Sequence, residues 1–167
     1  MTSEEMKTTE TAATEVLGEL LGHLELEGKV VAADPFMITG EEGEGTSVVL
    51  EIEGEDLGIL IGRRGQTLAA LQYVVRLVVN SKTGSKLPIV IDVEGYKRRR
   101  YEALRAFAWR MADEVRAKRV PFTMEPMSAF ERRVVHLALA DDIDVITQST
   151  GQGDMRKVVI VPKGPLP

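Results

Sequence analysis

The segment from Gly62 to Gly65 has the residue types of a phosphate-binding loop. Two glycines bracket two arginines, and glycine lets a backbone turn sharply and approach a ligand without a Cβ clash. The loop leads into an apolar helical segment, whose N-terminal N–H groups and positive dipole end favour anions. Arg63 and Arg64 add guanidinium groups that can bind phosphate oxygens in pairs. This spacing predicts contacts to a sugar-phosphate backbone, although Gly-x-x-Gly taken alone is more often an ordinary turn.

Arg132 and His136 form a second candidate site. They are four residues apart on a helix that is predicted to begin at the capping box Ser128-Ala-Phe-Glu131, so their side chains share one face. Apolar residues occupy another face of this helix, which predicts that both side chains are partly exposed. An arginine and a histidine together can contact phosphate oxygens and stack on bases. Taken alone, such a spacing is more often an incidental surface pair.

Patterns for catalysis or metal binding are absent from the sequence. It contains no cysteine, only one other histidine (His23), and no Gly-x-x-x-x-Gly-Lys-Ser/Thr segment. Asp141, Asp142 and Asp144 lie between a helix and a strand, and we interpret them as a solvated linker. We therefore expect no catalytic residue, no metal ion and no cofactor. Aromatic residues are only 5% of the chain, too few to predict a broad base-stacking platform.

Hydrophobic periodicity predicts the elements that position the first site. Residues 1–10 are interpreted as a flexible acidic tail. The following elements are, in order, a helix (11–26), strands (29–38 and 46–53) around a glycine-rich hairpin loop (40–45), a short apolar stretch (57–61), a helix (66–80) and a third strand (89–93). In the second strand Val48, Leu50 and Ile52 alternate with Val49, Glu51 and Glu53, which predicts one apolar face. This order of elements predicts a compact α+β unit, residues 11–95, with its helices on one face of a three-stranded sheet.

A second unit is predicted for residues 96–167, and it is not a copy of the first. It would contain a long basic helix ended by Pro121, the capped helix and a closing strand pair with a glycine turn; the predicted ranges are 96–119, 128–140, 143–149 and 155–161. The apolar stripe of the long helix is predicted to consist of Tyr101, Leu104, Ala108, Met111 and Val115. The charge is divided between the two ends of the chain. Residues 1–60 contain 15 acidic and 2 basic side chains, whereas residues 61–167 contain 11 and 19. This asymmetry is compatible with a localised anion-binding surface, and equally with a dipolar protein that binds no anion.

Two separate motif sets resemble one known family. The segment Gly58-Ile-Leu-Ile-Gly-Arg-Arg-Gly-Gln-Thr-Leu-Ala-Ala-Leu-Gln-Tyr73 is similar to the K-homology (KH) segment of the bacterial Jag family, the SpoIIIJ-associated proteins also called KhpB or EloR. Three further segments are similar to that family's Arg-x-x-x-His (R-three-H) domain: Glu131-Arg132-Arg133-Val-Val-His136 with the preceding Pro126-Met127, Thr147-Gln-Ser-Thr-Gly151-Gln-Gly153, and Arg156-Lys-Val-Val-Ile-Val-Pro162. The resemblance covers residues 11–164.

The resemblance implies a type II KH domain followed by a small α+β R-three-H domain, both of which bind single-stranded nucleic acid. It implies that Gly62, Arg63, Arg64 and Gly65 clamp phosphates, and that Arg132 and His136 contact phosphates and bases. It further implies partnership with a small KH-only protein, with homodimers left open, and a role in cell elongation, division or envelope synthesis. Longer members carry an additional N-terminal Jag domain and linker, whereas this sequence begins close to the KH helix, so no direct membrane insertion is expected.

The sequence therefore predicts a cytoplasmic, single-stranded RNA-binding regulator or RNA chaperone that catalyses no reaction. The KH groove would hold about four nucleotides and the R-three-H helix a neighbouring stretch, with basic residues from Arg63 to Arg119 along the path. A single-stranded DNA binder is one alternative, because neither motif demonstrates a contact to a 2′-hydroxyl. A protein-interaction adaptor with an acidic docking face, and an enzyme of unknown type, are the others.

Overall fold

The computed structural model describes residues 3–33 and 47–164, and it divides the chain into two compact units, Met1–Arg98 and Arg99–Pro167. The sequence predicts the division at residue 95. The structure places it three residues later, inside a long helix that begins at Tyr96. The predicted hairpin loop at 40–45, and residues 34–38 of the predicted first strand, lie outside the described residues.

The first unit has the predicted order helix-strand-strand-helix-helix-strand, which confirms its α+β class. Its elements are α1 (Ser3–His23), β1 (Gly28–Ala32), β2 (Val48–Gly54), α2 (Gly58–Ile61), α3 (Gln66–Thr83) and β3 (Ile89–Val93). The central strand β2 pairs with β1 in antiparallel and with β3 in parallel orientation. A parallel pair needs a crossover connection, and α2, the glycine loop and α3 form that crossover. The candidate loop is thus held between two helices that are both anchored to the sheet.

The core of the first unit lies between the sheet and its helices. The alternation predicted for β2 is confirmed, because Val48, Leu50 and Ile52 are all buried on the face that the helices cover. They pack against apolar side chains of α1, α3 and β3, namely Ala13, Val16, Leu17, Leu21, Leu68, Val75, Val79, Ile89, Ile91 and Val93. Burial of this apolar area is the main force that holds the unit together.

The prediction of a flexible tail over residues 1–10 is wrong for its described part, because α1 begins at Ser3. Thr9 is 1% exposed, and Met6 packs against the core. The buried Thr9 hydroxyl donates to the carbonyl of Glu5 at 2.8 Å, so its burial leaves no polar atom unsatisfied. The acidic composition hid this helix, because its buried face contains threonine where an apolar residue is usual.

The second unit contains one sheet with both helices on one of its faces. Helix α4 (Tyr96–Lys118) enters it from the first unit, and β4 (Phe122–Thr123), α5 (Ala129–Ala138), β5 (Val145–Thr150) and β6 (Lys157–Pro162) follow. The strands are antiparallel in the order β4-β6-β5. The sequence did not indicate the two-residue strand β4, which is too short to show alternation. Predicted apolar positions of α4, among them Leu104, Ala108 and Val115, are confirmed as core residues.

The start of α5 has the predicted capping box. The Ser128 hydroxyl accepts from the Glu131 backbone N–H at 3.2 Å, and the Glu131 carboxylate accepts from the Ser128 N–H at 2.9 Å. The same carboxylate accepts from Nε of Arg100 on α4 at 2.8 Å. These contacts fix the beginning of α5 in position and direction, which in turn fixes the side chains one and two turns along it.

No helix among the described residues is both long and apolar enough to cross a membrane.

Candidate nucleic-acid interface

Gly62 has a backbone conformation that requires glycine, and Gly65 has one that favours it. Gly62 adopts φ 68° and ψ −172°, a region that is essentially restricted to glycine, and Gly65 adopts φ 78° and ψ 11°. Arg64 between them also has a positive φ of 53°. These three residues reverse the chain direction within a single short turn, and α3 begins directly after Gly65. The loop therefore has its shape because of its glycines.

Two side chains also approach the glycines too closely for any Cβ. A Cβ on Gly62 would lie 2.0 Å from Oγ1 of Thr67, and a Cβ on Gly65 would lie 2.9 Å from Cε1 of Tyr96. Thr67 is in the first turn of α3, and Tyr96 is the first residue of α4. The sequence pattern indicated neither residue as part of the loop site. Thr67 is near in sequence, but Tyr96 reaches the loop only because β3 brings the chain back beside it.

The charge around this loop suits an anion. Arg63 and Arg64 are both exposed. Helix α3 begins without a side-chain cap and has no acidic residue in its first turn. Its N-terminal N–H groups and dipole are therefore not neutralised by the helix itself. A phosphate group at this position would meet both the backbone donors and the arginines.

Apolar surface is exposed in two places near the loop. Ile59 on α2 is 69% exposed, and it lies three residues before Gly62. Further along α3, Tyr73, Val74 and Leu77 are each about half exposed, at 54%, 45% and 49%. Their spacing places them on one side of the helix, and we call these three residues the α3 stripe. Ile59 forms part of the apolar surface beside the loop, whereas the α3 stripe is a separate feature that the sequence pattern did not single out.

The second candidate site lies between α5 and β5. Arg132 and His136 are both half-buried, as predicted, and two hydroxyl side chains of β5 face them. Nδ1 of His136 is 2.6 Å from Oγ1 of Thr147, and Nε2 is 2.8 Å from Oγ of Ser149. Nη1 of Arg132 donates to the same Ser149 oxygen at 3.2 Å. The structure thus joins the arginine and the histidine through one strand residue.

The protonation state of His136 follows from this environment. Burial lowers the pKa of His136 below its ordinary value of 6.5, and the positive charge of Arg132 lowers it further. The ring is therefore neutral near pH 7, with one nitrogen that donates and one that accepts. The side chain of Arg132 is also only partly satisfied, because its buried Nε has no hydrogen-bond partner among the described residues. Within that part of the chain, the site therefore contains one donor without an acceptor.

Comparison with known proteins matches each unit separately. Residues 29–91 match the KH domain of KhpA/KhpB, and residues 102–162 match the R-three-H domain. Over 111 residues the chain is 42% identical to RNA-binding protein KhpB of Clostridium symbiosum, and over 125 residues it is 35% identical to the protein of the same name in Bacillus subtilis. The first match covers 66% of this chain and 50% of the relative, and the second covers 74% and 60%. The chain belongs to the Jag (KhpB) family.

A third relative, RNA-binding protein KhpB of Lactiplantibacillus plantarum, is 37% identical over 103 residues, which are 62% of this chain and 32% of that protein. The chain thus spans between about one third and three fifths of the length of these relatives. The candidate loop from Gly62 to Gly65 falls inside the matched KH domain, and Arg132 and His136 fall inside the matched R-three-H domain.

Three arginines of the predicted basic path make contacts within the R-three-H unit. Arg100 pairs with Glu131 at 2.8 Å, and Arg116 pairs with Asp142 at 2.7 Å. Nη2 of Arg119 donates to the carbonyl of Lys163 at 2.7 Å. The expectation that basic residues from Arg63 to Arg119 line the RNA path stays a prediction, and these three of them also stabilise the fold.

Asp142 stabilises the linker that follows α5. Its Oδ1 accepts from the backbone N–H groups of Asp144 and Val145 at 2.9 and 3.1 Å. The hydrogen bond from Arg116 is the main cause that lowers the pKa of Asp142. Within residues 3–33 and 47–164, the structure contains no group of three or more histidines and acidic residues arranged to hold a metal ion.

Proposed function

We propose that this chain binds single-stranded RNA through two sites and regulates the bound transcripts without catalysing a reaction. The observation that carries the proposal is the loop from Gly62 to Gly65, whose glycine-only conformation presents Arg63 and Arg64 beside the uncapped N-terminus of α3. A loop of this kind in KH domains clamps the backbone of about four nucleotides. The relatives in Clostridium symbiosum and Bacillus subtilis, which are named RNA-binding proteins, support the same conclusion.

The R-three-H site contributes a second contact on the same strand. Arg132 supplies charge and the hydroxyl-linked His136 lies one turn away, so a neighbouring phosphate and base can be bound there. Because both units belong to one chain, the second contact is intramolecular, and two modest affinities combine into a stronger one. The acidic composition of residues 1–60 disfavours RNA on that part of the protein.

The test is fluorescence anisotropy with labelled single-stranded RNA, and with DNA of matching sequence, across a salt series. The natural chain is compared with the variants Arg63→Asp/Arg64→Asp and Arg132→Ala/His136→Ala. A matched control is Lys82→Asp/Lys86→Asp, which makes the same charge change at exposed positions near the far end of α3, about 25 Å from the loop for a helix of this length. Circular dichroism confirms that each variant is folded.

We expect salt-sensitive RNA binding by the natural chain, because phosphate contacts release counterions. Both site variants should weaken binding and lower the salt slope, and the lysine control should bind nearly as the natural chain does. Failure of the natural chain to bind a varied RNA pool at low salt would refute the proposal. Binding of a protein partner that persists at high salt and ignores RNA would favour the adaptor instead, and equal affinity for DNA would make the chain a general single-strand binder.

We propose further that the α3 stripe binds a second KH domain, either that of a small KH-only protein or that of another copy of this chain. Tyr73, Val74 and Leu77 present adjacent apolar surface on a helix whose other side packs into the core, and such surface is typical of interaction sites. Sedimentation of the natural chain, alone and with a KH-only protein from the same genome, measures the association. Val74→Glu/Leu77→Glu should abolish it, whereas Ile143→Glu, at an 82% exposed position of the R-three-H unit, should not.

For the cellular role we propose action in the cytoplasm on transcripts that affect cell elongation, division or envelope synthesis. The support is the family to which the chain belongs, and the measurement is crosslinking of the tagged protein to RNA in living cells, followed by sequencing. The role is contradicted if the natural chain enriches such transcripts no more than the Arg63→Asp/Arg64→Asp variant does.

A further inference from the structure

Both ring nitrogens of His136 are already engaged within the protein. Nδ1 lies 2.6 Å from Oγ1 of Thr147, and Nε2 lies 2.8 Å from Oγ of Ser149. For either nitrogen to contact a phosphate, the ring would have to rotate and break one of these hydrogen bonds. Leaving a half-buried nitrogen without a hydrogen-bond partner costs free energy. The polar contacts of this site therefore have to be found on other atoms.

The hydrogen atoms on the ring and on the two hydroxyls determine which atoms of the site can bind a ligand. A neutral imidazole has one N–H and one accepting nitrogen, so one of the two hydroxyls accepts from the ring and the other donates to it. The hydroxyl that accepts from the ring keeps its own hydrogen for an acceptor outside the protein. Ser149 also accepts from Nη1 of Arg132, so when it accepts from His136 both its lone pairs are used and its hydrogen can only be donated elsewhere.

We propose that the hydroxyl pair of Thr147 and Ser149 donates the hydrogen bond to nucleic-acid phosphate at the R-three-H site, from whichever of the two accepts from the ring, and that His136 is a positioning residue that orients the pair. The proposal rests on the proposed function, namely that this site binds RNA. The group recognised is a phosphate oxygen, which only accepts hydrogen bonds and so fits a hydroxyl whose hydrogen is turned outward. Arg132 provides the charge beside it.

The strand geometry supports this assignment. Thr147 and Ser149 are two residues apart on β5, so their side chains project from the same face of the sheet. That face is the one toward α5, and both side chains remain half-buried rather than fully covered. The neighbouring Thr150 is exposed and projects from the opposite face. The strand therefore offers a matched control of the same residue type.

The test measures RNA affinity of the full chain by anisotropy for Thr147→Val, Ser149→Ala and the control Thr150→Val. Valine keeps the shape of threonine but removes the hydroxyl. We expect about a tenfold loss of affinity for the variant that removes the donating hydroxyl, which corresponds to one hydrogen bond to a charged group. The double variant Thr147→Val/Ser149→Ala should show at least that loss, and the control should show no change. Thr147→Ser, which restores the hydroxyl without the methyl group, should recover most of the affinity.

A double-mutant cycle distinguishes contact by the hydroxyls from contact by the ring. In the Thr147→Val/Ser149→Ala background, His136→Phe should cause no further loss of affinity, because the ring acts only through the two hydroxyls. A further loss of several-fold in that background would overturn the proposal. So would natural affinity in the hydroxyl variants, since the ring nitrogens would then be unoccupied and able to bind RNA directly.

Failure of the inference can be told apart from failure of the proposed function. If the natural chain binds RNA and Arg63→Asp/Arg64→Asp weakens it, but the hydroxyl variants bind normally, only the assignment of Thr147 and Ser149 is overturned. If the natural chain binds no RNA, the proposed function is refuted and this inference with it.

Discussion

Replacing Gly62 with alanine tests the link between loop conformation and RNA binding. Gly62 has φ 68° and ψ −172°, where a residue with a Cβ is strained by about 1–3 kcal/mol. The new Cβ would also lie 2.0 Å from Oγ1, 2.7 Å from Cβ and 3.0 Å from the backbone N of Thr67. Rotation of the threonine side chain removes only the first of these clashes, so α3 or the loop has to move. Overpacking of this kind costs about another 1–3 kcal/mol. We therefore expect Gly62→Ala to lower the free energy of unfolding by about 4 kcal/mol in total.

Gly84 offers a control that separates strain from collision. It has φ 70° and ψ −2° at the end of α3, and a Cβ there would meet nothing within 4 Å. Gly84→Ala should therefore cost only the left-handed strain, about 1–2 kcal/mol. Adding Thr67→Ala to Gly62→Ala should restore part of the lost free energy of unfolding, whereas adding it to Gly84→Ala should restore none.

The assays are urea unfolding followed by circular dichroism, hydrogen exchange of β2 and β3 amides to report on the KH unit alone, and RNA anisotropy. We expect Gly62→Ala to weaken RNA binding at least tenfold in the folded protein, because the displaced loop no longer presents Arg63 and the α3 N-terminus together. Gly84→Ala should bind normally. The reasoning is refuted if Gly62→Ala destabilises the KH unit no more than Gly84→Ala does and binds RNA with natural affinity.

Three further predictions concern single residues. Ser128→Ala removes the capping hydroxyl of α5 and should lower the free energy of unfolding by about 1 kcal/mol, as measured by urea unfolding; no change would mean that Glu131 alone caps the helix. Because the pKa of His136 is lowered in the fold, the unfolded state binds more protons once the pH falls below 6.5, so the R-three-H unit should lose stability as the pH is lowered from that value through the folded-state pKa. Thermal unfolding at a series of pH values checks this, and His136→Gln should remove that part of the dependence. Tyr96→Ala should weaken RNA binding by removing the ring that contacts Gly65, whereas Tyr96→Phe should not; equal affinity in both variants would show that the ring does not hold the loop.

Local patterns determined much of this protein from sequence alone. The alternation of Val48, Leu50 and Ile52 predicted a strand and its buried face, and Ser128 with Glu131 predicted the start of α5. Gly-x-x-Gly predicted a sharp turn before a helix. Each of these depends on residues a few positions apart, whose geometry is set by the periodicity of a helix or strand or by the hydrogen bonds of a helix end. For that reason they can be recognised before the fold is known.

The errors have local causes as well. The acidic residues near the N-terminus suggested a tail, but Thr9 lies in the core with its hydroxyl bonded to the carbonyl of Glu5. A polar residue that satisfies its hydrogen bond inside its own helix can be buried, and its type alone does not reveal this. The sequence likewise did not reveal the ion pairs of Arg100 and Arg116, because it does not say which acidic residue will lie beside an arginine.

Tertiary structure alone decided how the two sites are built. Tyr96 contacts Gly65 because the parallel strand β3 returns the chain to the loop, and Thr147 and Ser149 meet His136 because β5 passes under α5. These contacts depend on strand order and on the face of the sheet that a helix covers, which pair residues that are far apart in the chain. The sequence determined which residues carry charge and where the backbone can turn, whereas the fold determined that the ring nitrogens of His136 are bonded to two hydroxyls instead of facing a ligand.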